Sequence, residues 1–219
     1  MKTFSFVLIT CATPLAAVAQ TQVIIETSLG SIPITLYDTA APETVANFLG
    51  YINRGDYDDV IFHRLAGNFV LQTGGFVVSD PSSPQLVAPV NTGPTIVNEP
   101  GASNVRGTIA MAKIGGDPDS ATSQWFVNLS DNSSVLDSQN GGFTVFGEVT
   151  DLSTVDEIAA RPVATFAAPF NELPLLEYDP NEAVVREDLI LITGVTVVPE
   201  PATGLLAGVA LLGLLRRRR

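Results

Sequence analysis

The 219-residue chain has one cysteine and one histidine. That excludes a disulfide framework, a Cys/His zinc site and any multi-histidine metal cluster. A Ser-His-Asp triad would have to use His63, and no Gly-x-Ser-x-Gly elbow accompanies it. Positive charge is scarce too: 11 Lys and Arg stand against 23 Asp and Glu, a net charge of −12. So acidic a chain repels a phosphate backbone, and nucleic-acid binding is not expected. No phosphate-binding loop is present, because Gly115-Gly116-Asp117-Pro118-Asp119 lacks the spacing and the lysine. What the chain does have is 46% hydrophobic residues with 18 glycines and 15 prolines. Its length fits one domain with a real core, and its composition fits a turn-rich β protein.

The two ends read as targeting segments. Residues 1–19 have a secretory pattern: Lys2, an apolar stretch from Phe4 to Ile9 and Leu15 to Val18, and the small-residue site Ala17-Val18-Ala19. A lipoprotein signal on Cys11 is disfavoured, since Thr10 is large for the position before it. Cleavage after Ala19 removes the cysteine, which suits an oxidising compartment. At the other end, Val198-Pro199-Glu200-Pro201 precedes an apolar run from Ala202 to Leu215 and then Arg216–Arg219. The run is 14 residues, short of the about 20 a stable span needs. The arginines would hold that end on the cytoplasmic side. This tripartite tail, residues 198–219, resembles the PEP-CTERM sorting signal of Gram-negative bacteria. The resemblance implies export across the inner membrane, a transient single-pass anchor, processing by an exosortase-type enzyme, and a final place at the cell surface or outside. Without Lys2 and the terminal arginines, six basic residues face 23 acidic ones, a net charge near −17. Such a domain does not settle on anionic lipid, so membrane contact is expected through the tail alone.

Residues 20–197 read as one β-rich domain. Strands are expected over Gln22–Thr27 and Ser31–Tyr37, joined by a Ser28-Leu29-Gly30 hairpin. Pro42 opens a helix in which Val45, Phe48, Leu49 and Ile52 recur at helical spacing, and Gly55 ends it. Further strands are expected over Val60–Arg64, Phe69–Thr73, Gly107–Ala112, Trp125–Leu129, Thr144–Val149 and Asp188–Val197. Ser153 is the expected N-cap of a second short helix ending at Ala160, before Pro162. Ser79–Gly93 and Phe166–Glu187 read as loops. Asp56, Asp58 and Asp59 lack calcium-loop spacing and read as a solvated turn. Asn128-Leu129-Ser130 and Asn132-Ser133-Ser134 fit the glycosylation pattern, a signal that carries no weight in a chain with a bacterial type of sorting tail. Strand and helix counts suggest a closed antiparallel barrel.

Several blocks in order carry a family resemblance. Phe62-His63-Arg64, then Phe69-Val70-Leu71-Gln72-Thr73-Gly74-Gly75, then Arg106-Gly107-Thr108-Ile109-Ala110-Met111-Ala112, then Ser120-Ala121-Thr122-Ser123-Gln124-Trp125-Phe126, then Leu136-Asp137 and Phe143-Thr144-Val145-Phe146-Gly147 resemble the cyclophilin peptidyl-prolyl cis-trans isomerases. The similarity spans about residues 22–197 and implies an eight-stranded antiparallel barrel capped by two helices. It implies that Arg64 and Gln72 are catalytic, that Phe69, Val70, Phe126, Leu136 and Phe143 line the proline pocket, and that Ala112, Lys113 and Gln124 bind the peptide main chain. His63 reads as a structural residue beside the site. No metal or cofactor is implied; the partners are proline-containing polypeptides, and a monomer is expected. The chemistry suits the inventory. An Xaa-Pro bond rotates over a resonance barrier of about 18–20 kcal/mol, and lowering it needs no nucleophile or metal. A guanidinium can donate to the amide without titrating.

Some positions depart from the family. Val70 replaces a usual methionine, Trp125 a phenylalanine, and Phe143 a histidine or tyrosine. Val135 stands where a larger aromatic is common, which should weaken cyclosporin binding more than isomerisation. Phe170-Asn171-Glu172-Leu173-Pro174-Leu175 resembles an insertion in bacterial members. Taken singly, Phe69, Phe126 and Leu136 also fit ordinary barrel core, and Arg64 has many carboxylates to pair with. Two other readings of the same scaffold are a non-catalytic proline-peptide binding module and an acidic extracellular-matrix component.

Overall fold

The computed structural model describes residues 20–79 and 85–199; the expected signal peptide and the tail from Glu200 onward lie outside the described residues. Strands β1 (Gln22–Thr27) and β2 (Gly30–Leu36) form the expected hairpin with Thr27 opposite Gly30. Helix α1 (Pro42–Arg54) follows. It has no side-chain cap of its own. Glu99 supplies one from across the fold, accepting the Thr44 N–H at 2.8 Å and the Glu43 N–H at 3.2 Å. Gly55 ends the helix in the left-handed region at φ 73°, as a C-terminal glycine does. Val45, Phe48 and Tyr51 go into the core, with Leu49 and Ile52 beside them.

Then come β3 (Val60–Ile61), β4 (Arg64–Ala66), β5 (Val70–Thr73), β6 (Phe76–Val78), β7 (Val87–Pro89), β8 (Thr108–Met111), β9 (Trp125–Asn128), the single turn α2 (Ser133–Leu136) and β10 (Val145–Val149). Helix α3 (Ser153–Ala159), β11 (Val163–Ala164), β12 (Leu173–Pro174) and β13 (Leu191–Val198) are the last helix and strands of the described residues. Leu152, not Ser153, is the cap residue of α3, and the Asp151 side chain accepts the Ser153 N–H.

The all-β class holds, but eight continuous strands closed edge to edge do not. One antiparallel sheet of eleven segments runs β4-β5-β9-β8-β10-β2-β1-β13-β3-β6-β7, and β11-β12 form a separate pair. Two long strands are broken. Phe62–His63 separate β3 from β4, and Gly74–Gly75 separate β5 from β6. At Gly74 φ is +82° and a Cβ would lie 2.4 Å from the Ser123 carbonyl oxygen; only glycine allows the bend before β9 so close. The sheet therefore curls back on itself through the chain at β3–β4. The breaks and the extra edge strand β7 account for eleven segments where eight strands were expected.

The interior is filled by Val23, Ile25, Ile32, Ile34, Phe48, Trp125, Phe146 and their neighbours. A second cluster (Ile61, Ala164, Leu173, Leu175, Leu189, Leu191) lies under residues 166–187. A third (Val70, Ala110, Phe126, Leu136, Val145) is separate from both.

Candidate active site

The third cluster is the floor of a surface cavity, and strand alternation builds it. Successive strand residues face opposite ways. On β5, Leu71 faces the interior while Val70 and Gln72 face the cavity; on β9, Trp125 and Val127 go inside while Phe126 goes out. Ladder register then sets the neighbours. Arg64 pairs with Gln72, Gln72 with Phe126, and Phe126 with Ala110. Loops add Phe69, Ala112, Lys113, Gln139 and Phe143, and α2 adds Leu136. The resulting cavity of about 210 Å³ is lined by Arg64, Phe69, Val70, Gln72, Ala112, Lys113, Phe126, Leu136, Gln139 and Phe143.

Nine of the ten lining residues were named from sequence. Gln124 lies outside this cavity, in an adjoining groove with Thr92, Thr95, Ser120 and Thr122, and Gln72, Ala112 and Lys113 line both. His63 is buried behind the wall. Trp125 points into the core and Val135 is 47% exposed. Sequence reasoning missed Gln139, which lies in a turn with no periodic signal. It also missed Glu172, whose carboxylate accepts from Arg64 Nε at 2.8 Å.

The polar groups form one chain. Arg64 Nη1 reaches Gln72 Oε1 at 3.5 Å, and Gln72 Nε2 donates to Gln124 Oε1 at 2.8 Å. Lys113 Nζ donates to the Asn140 and Gly142 carbonyls at 2.9 and 2.6 Å and lies 4.8 Å from the centre of the Phe143 ring. Its ammonium thus ties down the rim, and its stem lines the wall. Burial holds its pKa below the usual lysine value, against the opposing charge of Asp119.

His63 is 2% exposed, and its Nδ1 has no partner. Burial, and secondarily the adjacent Arg64 charge, pull its pKa down to about 4. The imidazole is neutral at physiological pH.

Buried amides set the apolar rim. Asn132 Nδ2 donates to the Phe69 carbonyl and to Asn128 Oδ1, both at 2.8 Å. Asn128 Nδ2 donates to Thr108 Oγ1 at 2.9 Å and to Asn104 Oδ1 at 3.2 Å. Asn104 Nδ2 donates to the Phe143 carbonyl at 3.1 Å, and the Phe143 N–H donates to the Leu136 carbonyl at 2.8 Å. Asp137 accepts from the Asn104 N–H at 2.8 Å. Burial pushes the Asp137 pKa up, but the bonds from Asn104 and Ser103 outweigh it and hold the carboxyl below its usual value. Asn128 and Asn132, which fit a glycosylation pattern in the sequence, are buried and hold Phe69, Leu136 and Phe143 in place. Of the acidic turn, Asp56 pairs with Arg54 and Asp59 with Arg186, each at 2.6 Å.

The chain that builds this cavity matches a known family. Residues 22–179 match the model of the cyclophilin-type peptidyl-prolyl cis-trans isomerase family. The chain belongs to the cyclophilins. It is 40% identical over 154 residues to a peptidyl-prolyl cis-trans isomerase of Acinetobacter baylyi, covering 68% of this chain and 78% of that one. It is 42% identical over 146 residues to peptidyl-prolyl cis-trans isomerase B of Escherichia coli, covering 64% and 83%. A crystal structure of a Cryptosporidium parvum cyclophilin shares the fold, with TM-score 0.61 at 21% identity over 84% of this chain and 100% of that one. A second structure of it, obtained in the presence of the dipeptide Ala-Pro, has TM-score 0.60 at 21% identity, over 82% and 99%. Residues 197–219 match the PEP-CTERM protein-sorting motif. This cyclophilin is a peptidyl-prolyl cis-trans isomerase with a C-terminal sorting signal. Among the described residues no helix is long and apolar enough to cross a membrane.

Proposed function

We propose that this cyclophilin isomerises Xaa-Pro bonds of exported or cell-surface proteins and so assists their folding. The sorting motif at residues 197–219 supports that setting. Its signal peptide is residues 1–19 and its catalytic domain residues 20–197. An exosortase-type enzyme processes the tail, and the product ends at the surface or outside the cell. Uncatalysed isomerisation takes tens to hundreds of seconds, slow enough to limit folding.

The proline ring enters the apolar cavity among Phe69, Val70, Phe126, Leu136 and Phe143. Arg64 donates toward the prolyl nitrogen and its neighbouring carbonyl. Donation to the nitrogen draws its lone pair out of conjugation, so the C–N bond loses double-bond character and turns more easily. Gln72 lies beside the guanidinium, and Gln124, Ala112 and Lys113 accept the peptide main chain along the adjoining groove. Apolar walls on one side strengthen the guanidinium's electrostatic effect, because water is excluded there. The observation that carries this reading is the placement of Arg64 and Gln72, cross-strand partners, on the wall of one apolar cavity.

The test is cis/trans exchange of an Xaa-Pro peptide, followed by NMR with the purified chain and with Arg64→Ala. The variant should lose at least about tenfold, equivalent to about 1.4 kcal/mol of transition-state stabilisation. Full activity in Arg64→Ala would remove this arginine from the mechanism.

A further inference from the structure

The fold engages the nitrogens of Arg64 unequally. Nε makes a short bond to Glu172 at 2.8 Å, whereas Nη1 makes only a 3.5 Å contact to Gln72, at the long limit for a hydrogen bond. The firmest hold on the guanidinium therefore comes from Glu172, 108 residues away in sequence.

Glu172 is delivered by an anchored backbone. Its carbonyl accepts the Leu65 N–H at 2.7 Å, so it lies along the outer edge of β4 beside Arg64. The next residue, Leu173, is buried with Ile61, Leu189 and Leu191, and pairs with Ala164. Two residues before Glu172, Phe170 packs on Phe76 at 4.8 Å between ring centres, and Phe76 in turn packs on His63 at 5.1 Å. Apolar packing on both sides thus fixes where the carboxylate meets the arginine. The pair is about one-third exposed on each side. An ion pair in that setting adds little to stability, so its use is better sought in geometry.

We propose that Glu172 is a positioning residue for Arg64. It clamps the guanidinium by Nε and leaves the two Nη groups, one turned toward Gln72, for the substrate amide. Arginine suits this division because its donors form a rigid planar fork: fixing one edge aims the others. The segment 166–187, which contains the stretch Phe170–Leu175, then belongs to the active site through this one residue. The proposal rests on the reading that Arg64 acts on the prolyl amide.

The test uses the purified full chain with Glu172→Ala and Glu172→Gln, each also combined with Arg64→Ala. Exchange of an Xaa-Pro peptide is measured by NMR at several peptide concentrations, which separates kcat from peptide affinity; melting temperature is recorded alongside. Glu172→Ala should lower kcat roughly three- to tenfold, the scale of a modest misplacement of a reacting group. Peptide affinity should change less than about twofold. Glu172→Gln keeps an acceptor for Nε and should recover most of the loss. With Arg64 already replaced, Glu172→Ala should have no further effect on kcat. A kcat within about twofold of the parent in Glu172→Ala overturns the proposal. So does a glutamine variant no better than alanine, or an equal loss with and without Arg64, which would mean the segment merely supports the fold. If the parent chain accelerates exchange but Arg64→Ala does so equally, the reading of Arg64 fails first, and that result is distinct from all of these.

Discussion

His63 gives the molecule an acid sensitivity whose size follows from its burial. Its pKa is about 4 in the folded chain, against about 6.5 for an unperturbed histidine. Between those values the unfolded chain binds a proton that the folded chain refuses. Stability therefore rises with pH through this window and falls as pH drops from about 6.5 toward 4. From pH 7 to pH 5 the loss attributable to this one group is about 2 kcal/mol, and to pH 4 about 3 kcal/mol. Arg64 is the neighbouring charge that adds to the effect of burial. Measuring at pH 5 keeps most carboxylates, with ordinary values near 4, ionised. The assay is urea unfolding of the parent and of His63→Gln at pH 7 and pH 5. The parent should lose about 2 kcal/mol more than the variant. Because the chain has one histidine, its imidazole resonance can be assigned without ambiguity and titrated directly by NMR. A folded-state pKa near 6.5, or equal losses in parent and variant, would refute the argument that burial, with the Arg64 charge beside it, keeps this ring neutral.

Two further expectations test how the scaffold is held. Glu99→Ala removes the acceptor that caps α1 and should cost about 1–2 kcal/mol in urea unfolding; an unchanged midpoint would mean solvent caps the helix as well. Gly74→Ala places a Cβ 2.4 Å from the Ser123 carbonyl at φ +82° and should cost at least about 2 kcal/mol, whereas Gly115→Ala, with open space around it, should stay within about 0.5 kcal/mol. Equal melting temperatures for the two glycine variants would contradict the close approach of Ser123 to Gly74.

The elements legible in the sequence are those whose signal is local. Helix α1 had its periodic Val45, Phe48, Leu49 and Ile52 between Pro42 and Gly55, and it spans Pro42–Arg54. The β1–β2 hairpin was equally plain. Strands of two or three residues were not. β7 and β12 fell inside stretches read as loops, because so short a segment has no period and is held by pairing with a distant partner: Phe76 with Pro89, Val163 with Pro174. The break at Phe62–His63 fell inside one expected strand, and Gly74–Gly75 read as the end of a strand, so β6 beyond them was missed. Glu172 was one acid among 23; nothing near it in sequence says that it meets an arginine 108 positions earlier.

The cavity itself shows why its composition was readable while its geometry was not. Strands β5, β8 and β9 are covered on both faces, one by the interior and one by the cavity floor, so β8 and β9 carry Ile109-Ala110-Met111 and Trp125-Phe126-Val127 rather than alternation, and β5 opens on Val70-Leu71. Periodicity cannot tell floor from core in such a strand. Val70, Phe126 and Leu136 are as buried as true core residues, at 2%, 4% and 4% exposure. What separates the faces is the polar residue placed among them. Gln72 sits between Leu71 and Thr73, which face inward, and it needs hydrogen-bond partners that an apolar interior cannot offer. Its side chain must therefore turn outward, carrying Val70 with it, and the register that pairs it with Arg64 and Phe126 assembles the rest. One glutamine thus fixes which side of the strand becomes the binding surface.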